Sequence, residues 1–137
     1  MFQNQNTIYL ACGTGNEETI KEKIKKYGID EKRFIFTGHV KPHVYGWVID
    51  VWCDSFPLGQ GQSKDEFIAK KKPVIFHIKR QIKRDNINRV FVAKDEEEYI
   101  AFVNELIMNK NKRKDIAELE HKLWYENRKN NFIEKIR

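Results

Sequence analysis

The segment Phe56-Pro57-Leu58-Gly59-Gln60-Gly61-Gln62-Ser63, with Glu66 three residues further on, holds the residue types that cradle a phosphate. Gly59 and Gly61 let the backbone approach a ligand closely, and a helix starting after them offers unpaired N–H groups to an anion. Ser63 is placed to cap that helix and to hydrogen-bond the phosphate as well. Glu66, one turn in, is placed to accept from ribose hydroxyls beside it. A plainer reading uses the same residues: Gly59 and Gly61 shape a turn, and Ser63 with Glu66 makes a capping box. On spacing alone both readings stand.

Other chemistry-bearing residues point to less. His39 and His43 are four apart, but Pro42 between them keeps them off one helix face, and no further ligand has suitable spacing. No metal site is expected. Either histidine is in reach of a base or a phosphate, whereas His77 and His121 read as structural or exposed. Cys12 and Cys53 lie in apolar stretches and read as free buried thiols, with no basic neighbour to make a thiolate of Cys12. Asp50 and Asp54 flank a strand, and Asp54 reads as a partner for the loop backbone rather than an acid or base.

The elements that must position these residues alternate. Thr7 to Cys12 is an apolar run with β-formers, ended by Gly13-Thr14-Gly15. Thr14 and Glu17 have capping-box spacing for a helix with Ile20, Ile24 and Tyr27 on one face, stopped by Gly28. Further strands are expected over 33–37, 50–56, 73–78 and 89–93, with a short helical step between His43 and Ile49. A helix opens at Ser63 and another at Asp95. Glu96, Glu97 and Glu98 suit the latter's dipole, and Tyr99, Ile100, Val103, Leu106 and Ile107 form its apolar face. The tail from Lys112 is helical, with a break expected near Asn127.

Short strands alternating with helices predict an α/β fold: a Rossmann-like parallel sheet with helices on both faces, spanning 1–111, and a helical extension over 112–137. In such sheets ligands bind at the C-terminal strand edge. Gly13 and Gly15 fall at that edge, as does the loop 57–63. Topology and glycines therefore select the same region.

The length of 137 residues and a net charge of +6 fit one domain that buries about two thirds of its unfolded surface. The hydrophobic fraction of 40% and nine Phe exclude a disordered tail. No apolar run is long enough to span a membrane. MFQNQNTIYL has no secretory leader, so a cytoplasmic location is expected. Residues 64–84 carry eight Lys or Arg against Asp65 and Glu66, and 110–137 are also basic, while the remainder is slightly acidic. This suggests an anionic ligand near 64–84, or a solvated face. Lys70-Lys71-Lys72 suits a helix C-terminus, and Lys79, Arg80, Lys83 and Arg84 follow a strand near the ligand edge.

The order Phe34-Ile35-Phe36-Thr37-Gly38-His39-Val40, Val48 to Pro57, Gly59 to Ser63, Glu66 to Ala69 and Pro73-Val74-Ile75 resembles the C-terminal half of GT-B glycosyltransferases. Asp54-Ser55-Phe56-Pro57 and Asp95 to Ile100 are closest in flavour to protein O-linked N-acetylglucosamine transferases and bacterial adhesin N-glycosyltransferases. The resemblance covers about residues 7–110. It implies a nucleoside-diphosphate sugar, UDP-linked, as substrate, with neither a cofactor nor a catalytic metal. Gly13 and Gly15 would face the donor; Val40 would meet the base through its backbone, with Lys41 nearby. Gly59 lies in the donor loop; Gly61, Gln62 and Ser63 would hold the diphosphate, and Glu66 the ribose.

The chain departs from that pattern at two places. No acidic residue stands near Leu58 or Gly59, so a side-chain contact to the sugar is not expected there. Lys72 precedes Pro73 where relatives carry glycine, a turn variant.

In that family the N-terminal half binds the acceptor, and nothing before Thr7 supplies it. The chain is therefore expected to be the donor half of a longer protein, or to pair with a separate acceptor-binding partner, and to be inactive alone. Trp124, Tyr125, Phe132 and Ile133 in the tail either pack on that missing half or cover this domain's own core. The alternatives are a nucleotide-sugar epimerase of the same architecture and a non-catalytic nucleotide-binding or nucleic-acid-binding module. No nucleic-acid partner is expected, because no recognised binding signature is present.

Overall fold

Tyr9–Cys12 forms strand β1 and Phe34–Gly38 forms β2, paired in parallel with Tyr9 opposite Phe34. The pairing is reinforced on one face of the pleat, where the Tyr9 and Phe34 rings stack 4.8 Å apart and Phe36 meets Phe34 at 5.0 Å. The computed structural model describes residues 6–55, 61–77 and 91–136, with side chains as far as Asn130. These form two compact units, Met1–Lys41 and Pro42–Arg137.

Helix α1, Glu17–Lys26, joins the two strands of the first unit. Its cap is Asn16, not Thr14: the Asn16 Oδ1 accepts from the Thr19 N–H at 3.0 Å. Both types cap well, and Asn16 wins because it stands immediately before the first helical residue. Ile24 is the buried anchor of this helix, while Tyr27, expected on the same face, is exposed. The helix ends in a two-bond motif: Gly28 N–H donates to Lys25 O and Ile29 N–H to Ile24 O, both at 3.0 Å, with Gly28 at φ +64°. A 3-10 turn, Glu31–Arg33, follows, so Arg33 belongs to the turn and not to β2. From there its Nε donates to Thr7 O at 2.9 Å and ties the turn to the approach of β1.

The second unit begins with α2, Pro42–Tyr45, then β3, Trp52–Cys53, and α3, Gln62–Ala69. Strands β4, Val74–His77, and β5, Val92–Ala93, complete a three-stranded parallel sheet in the order β3-β4-β5. Helix α4, Glu96–Met108, and α5, Lys110–Ile136, close the unit. Phe67 and Ile68 of α3 pack on Val74 and Phe76 of β4, with Ile49, Trp52, Val92 and Trp124 around them. Trp52 and Phe67 approach to 4.2 Å between ring centroids.

The described strands thus give a mixed helix-and-strand chain with one two-stranded and one three-stranded parallel sheet and a long C-terminal helix. The strands are shorter than expected: β3 and β5 pair through two residues each. Helix α4 opens at Asp95 as expected: Asp95 accepts from the Glu98 N–H at 2.8 Å, and Glu98 reaches back to the Lys94 N–H at 2.7 Å. Val103 and Leu106 are buried in its face, but Ile100 is exposed.

Helix α5 runs through Asn127 without the expected break. Trp124 is seated on the core, the Arg128 guanidinium lies 4.6 Å from its ring centroid, and Arg128 pairs with Asp65 at 3.2 Å. These contacts hold the helix on both sides of Asn127. Trp124 therefore covers this unit's own core, Tyr125 is exposed, and the side chains of Phe132 and Ile133 lie outside the described residues. Among the described residues no helix is long and apolar enough to cross a membrane.

Candidate functional site

The sequence-expected residues fall into two groups, one in each unit. In the first unit, Gly13 follows β1 with φ +123°, a backbone conformation open to glycine and strained for other residues. Its N–H donates to Gly38 O at 2.8 Å, so the end of β1 is tied to the end of β2. Gly15 is exposed in the bend before α1. Val40 is half-buried and Lys41 exposed just beyond β2. Because the strands are parallel, with Cys12 opposite Gly38, Gly13, Gly15, Val40 and Lys41 gather at one end of this sheet, the C-terminal one.

The second group stands at the start of α3. Gly61 occupies the N-cap position, and no side chain caps the helix there. The expected capping box between Ser63 and Glu66 is not made. The helix begins one residue earlier, at Gln62, which carries Ser63 into the first turn, past the position from which a side chain caps. Among the described residues, the amides of that turn lack the side-chain acceptor that Asn16 supplies to α1 and Asp95 to α4. A Cβ added to Gly61 would meet nothing within 4 Å among the described residues. Gly59 lies outside the described residues, with Phe56, Pro57, Leu58 and Gln60.

One turn into α3, Glu66 is half-buried, and its Oε2 is buried with no hydrogen-bond partner among the described residues. A carboxylate oxygen that has left water without a donor is costly, and a ligand hydroxyl reaching it would remove that cost. Outside a capping box, Glu66 keeps its Oε2 without a hydrogen-bond partner among the described residues. The sequence reading found the residue, but its unbonded state shows only in three dimensions.

Charge around α3 is partly committed. Asp65 pairs with Arg128, Lys70 Nζ donates to Glu66 O at 3.2 Å, and Lys72 Nζ donates to Trp47 O at 3.3 Å. Lys64 Nζ stands 5.9 Å from the Phe76 ring centroid. Lys79, Arg80, Lys83 and Arg84 lie outside the described residues. The basic stretch thus spends two of its lysines on backbone carbonyls, a structural use that charge counting does not distinguish from a binding patch.

Other expectations resolve as follows. Asp54 is buried: its N–H donates to Ile75 O at 3.1 Å and its carbonyl accepts from the Tyr99 hydroxyl at 3.0 Å. His39 and His43 are both exposed. Among the described residues no three His, Cys, Asp or Glu side chains are grouped to hold a metal. Sequence reasoning missed Glu120, buried on α5, whose only sequence signal is a carboxylate on the same helical face as Ile116 and Ala117. Compared with known proteins, the chain matches no family model, no curated protein and no solved structure.

Proposed function

We propose that this chain is the donor-binding half of a glycosyltransferase of the GT-B kind, holding a nucleoside-diphosphate sugar, UDP-linked, for transfer to an acceptor bound by another domain. On this reading the parallel strands and their helices belong to a Rossmann-like fold. One observation supports the reading above the others: among the described residues, the first turn of α3, with Ser63 in it, has no side-chain cap, and the Glu66 Oε2 one turn further has no hydrogen-bond partner.

Free amides at a helix start, aligned with the positive end of the helix dipole, favour a diphosphate, and more so as negative charge grows on it when the sugar leaves. The Ser63 hydroxyl adds a donor to a phosphate oxygen. Glu66 accepts from the ribose hydroxyls, which relieves its buried oxygen. Taken by itself, the first unit offers Gly13, Gly15, Val40 and Lys41 at the C-terminal end of its sheet, the edge where ligands of parallel sheets bind. Gly61 and Gln62 contribute amides to the diphosphate.

Titration calorimetry with UDP, GDP and ADP at two salt concentrations tests the reading. A mononucleotide site weakens modestly with salt, whereas nucleic-acid backbone binding falls steeply. Saturable UDP binding with a shallow salt dependence is expected. No binding by any of the three would overturn a donor site in this chain.

A further inference from the structure

We propose that the turn following α2 is a docking surface for an acidic protein segment that seats an apolar side chain beside Trp47. The surface is built by hydrogen bonds that continue the helical winding: Gly46 N–H to Pro42 O at 2.8 Å, Trp47 N–H to Val44 O at 3.1 Å and Val48 N–H to Tyr45 O at 3.0 Å. That winding brings Val44, Trp47 and Val48 to one side, where they are 50%, 69% and 71% exposed, while Ile49 packs on the core. Three large apolar side chains together on the outside, one of them Trp, mark an interaction site rather than a scattered surface residue.

The turn is held, not loose. Gly46 is buried, and a Cβ there would come within 2.8 Å of Lys70 Cδ and 3.0 Å of Pro42 O, so the Lys70 stem lies directly across the glycine. The ammonium of Lys70 stands 6.0 Å from the Trp47 ring centroid, and Lys72 Nζ fixes the Trp47 carbonyl at 3.3 Å. Two lysines from the end of α3 thus pre-organise an exposed Trp, the residue type that most often carries binding energy. A turn already ordered loses little entropy on binding.

The same lysines choose the partner. Lys70 and Lys72 reach Trp47 in this way, and Lys71, exposed, stands between them in the chain, against Asp50 as the acid in the turn's own stretch. A segment bearing Asp or Glu around an apolar anchor complements that arrangement in charge. The aliphatic Val44 and Val48 offer branched surface to an apolar side chain, and Trp47, the one ring among the three, gives no platform for successive bases, which favours a protein segment over single-stranded nucleic acid.

The full chain is titrated with fluorescent synthetic peptides carrying Leu or Phe among Asp and Glu. Matched peptides carry Asn and Gln in place of the acids, and a single-stranded oligonucleotide is the third probe. The acidic peptides are expected to bind saturably and more weakly as salt rises. Their affinity should drop about tenfold or more in Trp47→Ala, and also in the pair Lys71→Glu with Lys72→Glu. Val48→Ser, a change at an exposed position, serves as a second variant, and circular dichroism checks the fold of each. The proposal is overturned by equal binding of the neutral peptides, by unchanged affinity in folded Trp47→Ala, by oligonucleotide binding that Trp47→Ala removes, or by self-association that Trp47→Ala removes.

Discussion

The backbone N–H of Val74, at the first residue of β4, donates to the carboxyl Oε2 of Glu120 on α5 at 2.8 Å, across 46 positions of chain. Glu120 is 4% exposed, and its Oε1 is buried without a partner among the described residues. The long helix is therefore fastened to the sheet by one acid that also carries a desolvation cost.

That cost sets a pH dependence. Burial pushes the Glu120 carboxyl up to about 8, opposed in part by the Val74 N–H. The folded chain then holds a proton that the unfolded chain releases near its ordinary value of 4.5. Stability is full below the unfolded value and is lost as pH rises through the folded one. Glu120→Gln keeps the acceptor for Val74 and removes the titration. Its melting temperature should match the parent near pH 5 and exceed it near pH 8, by an amount worth on the order of 3–5 kcal/mol. Parallel pH slopes for the two proteins would contradict this.

Lys71 occupies a glycine position. Lys71 N–H donates to Ile68 O at 2.9 Å and Lys72 N–H to Phe67 O at 3.1 Å, the pattern that closes α1 at Gly28, yet Lys71 sits at φ +54° with a side chain. Lys71→Gly should stabilise the chain by about 1 kcal/mol, measured by denaturant unfolding. Gly28→Ala should cost a similar amount, all of it backbone strain, because a Cβ there would meet nothing within 4 Å.

Cys53 should be a poor nucleophile while the chain is folded. Desolvation of its sulfur pushes the thiol up to about 11, outweighing the Tyr99 hydrogen bond that favours the thiolate. Alkylation by iodoacetamide at pH 8, located by mass spectrometry, should be about a hundredfold slower at Cys53 in the folded chain than in denaturant. Equal rates would show the sulfur to be solvated.

What could be read from the residues beforehand was local. Asp95 with three glutamates and a helical apolar spacing specified α4 because cap, dipole and face all agree there. Gly28 marked the end of α1 for the same reason: a stop of that geometry is a property of one residue.

Long-range contacts were not legible. The expected break at Asn127 ignored Arg128, which meets Trp124 along its own helix and Asp65 in α3. The Ser63–Glu66 box failed because either of two adjacent residues is able to open a helix, and packing of Phe67 and Ile68 decides which turn faces the core. At the candidate site the sequence supplied the residues, and the structure added that Glu66 is not consumed by capping. Lysines 70 to 72 read as the basic end of a helix, and only the structure shows the Lys70 and Lys72 ammonium groups lying on Glu66 O and Trp47 O.

The central claim, a diphosphate at the first turn of α3 and a ribose at Glu66, is tested most directly by calorimetric titration of UDP into the parent chain, Ser63→Ala and Glu66→Ala. Both substitutions lie outside the fully buried core, so folded variants are expected. The account predicts saturable binding by the parent and a loss of about tenfold or more in each variant, since each removes a hydrogen bond to the ligand and two of these involve charged partners. UDP binding of unchanged affinity in both variants would contradict it, and would move the ligand away from α3.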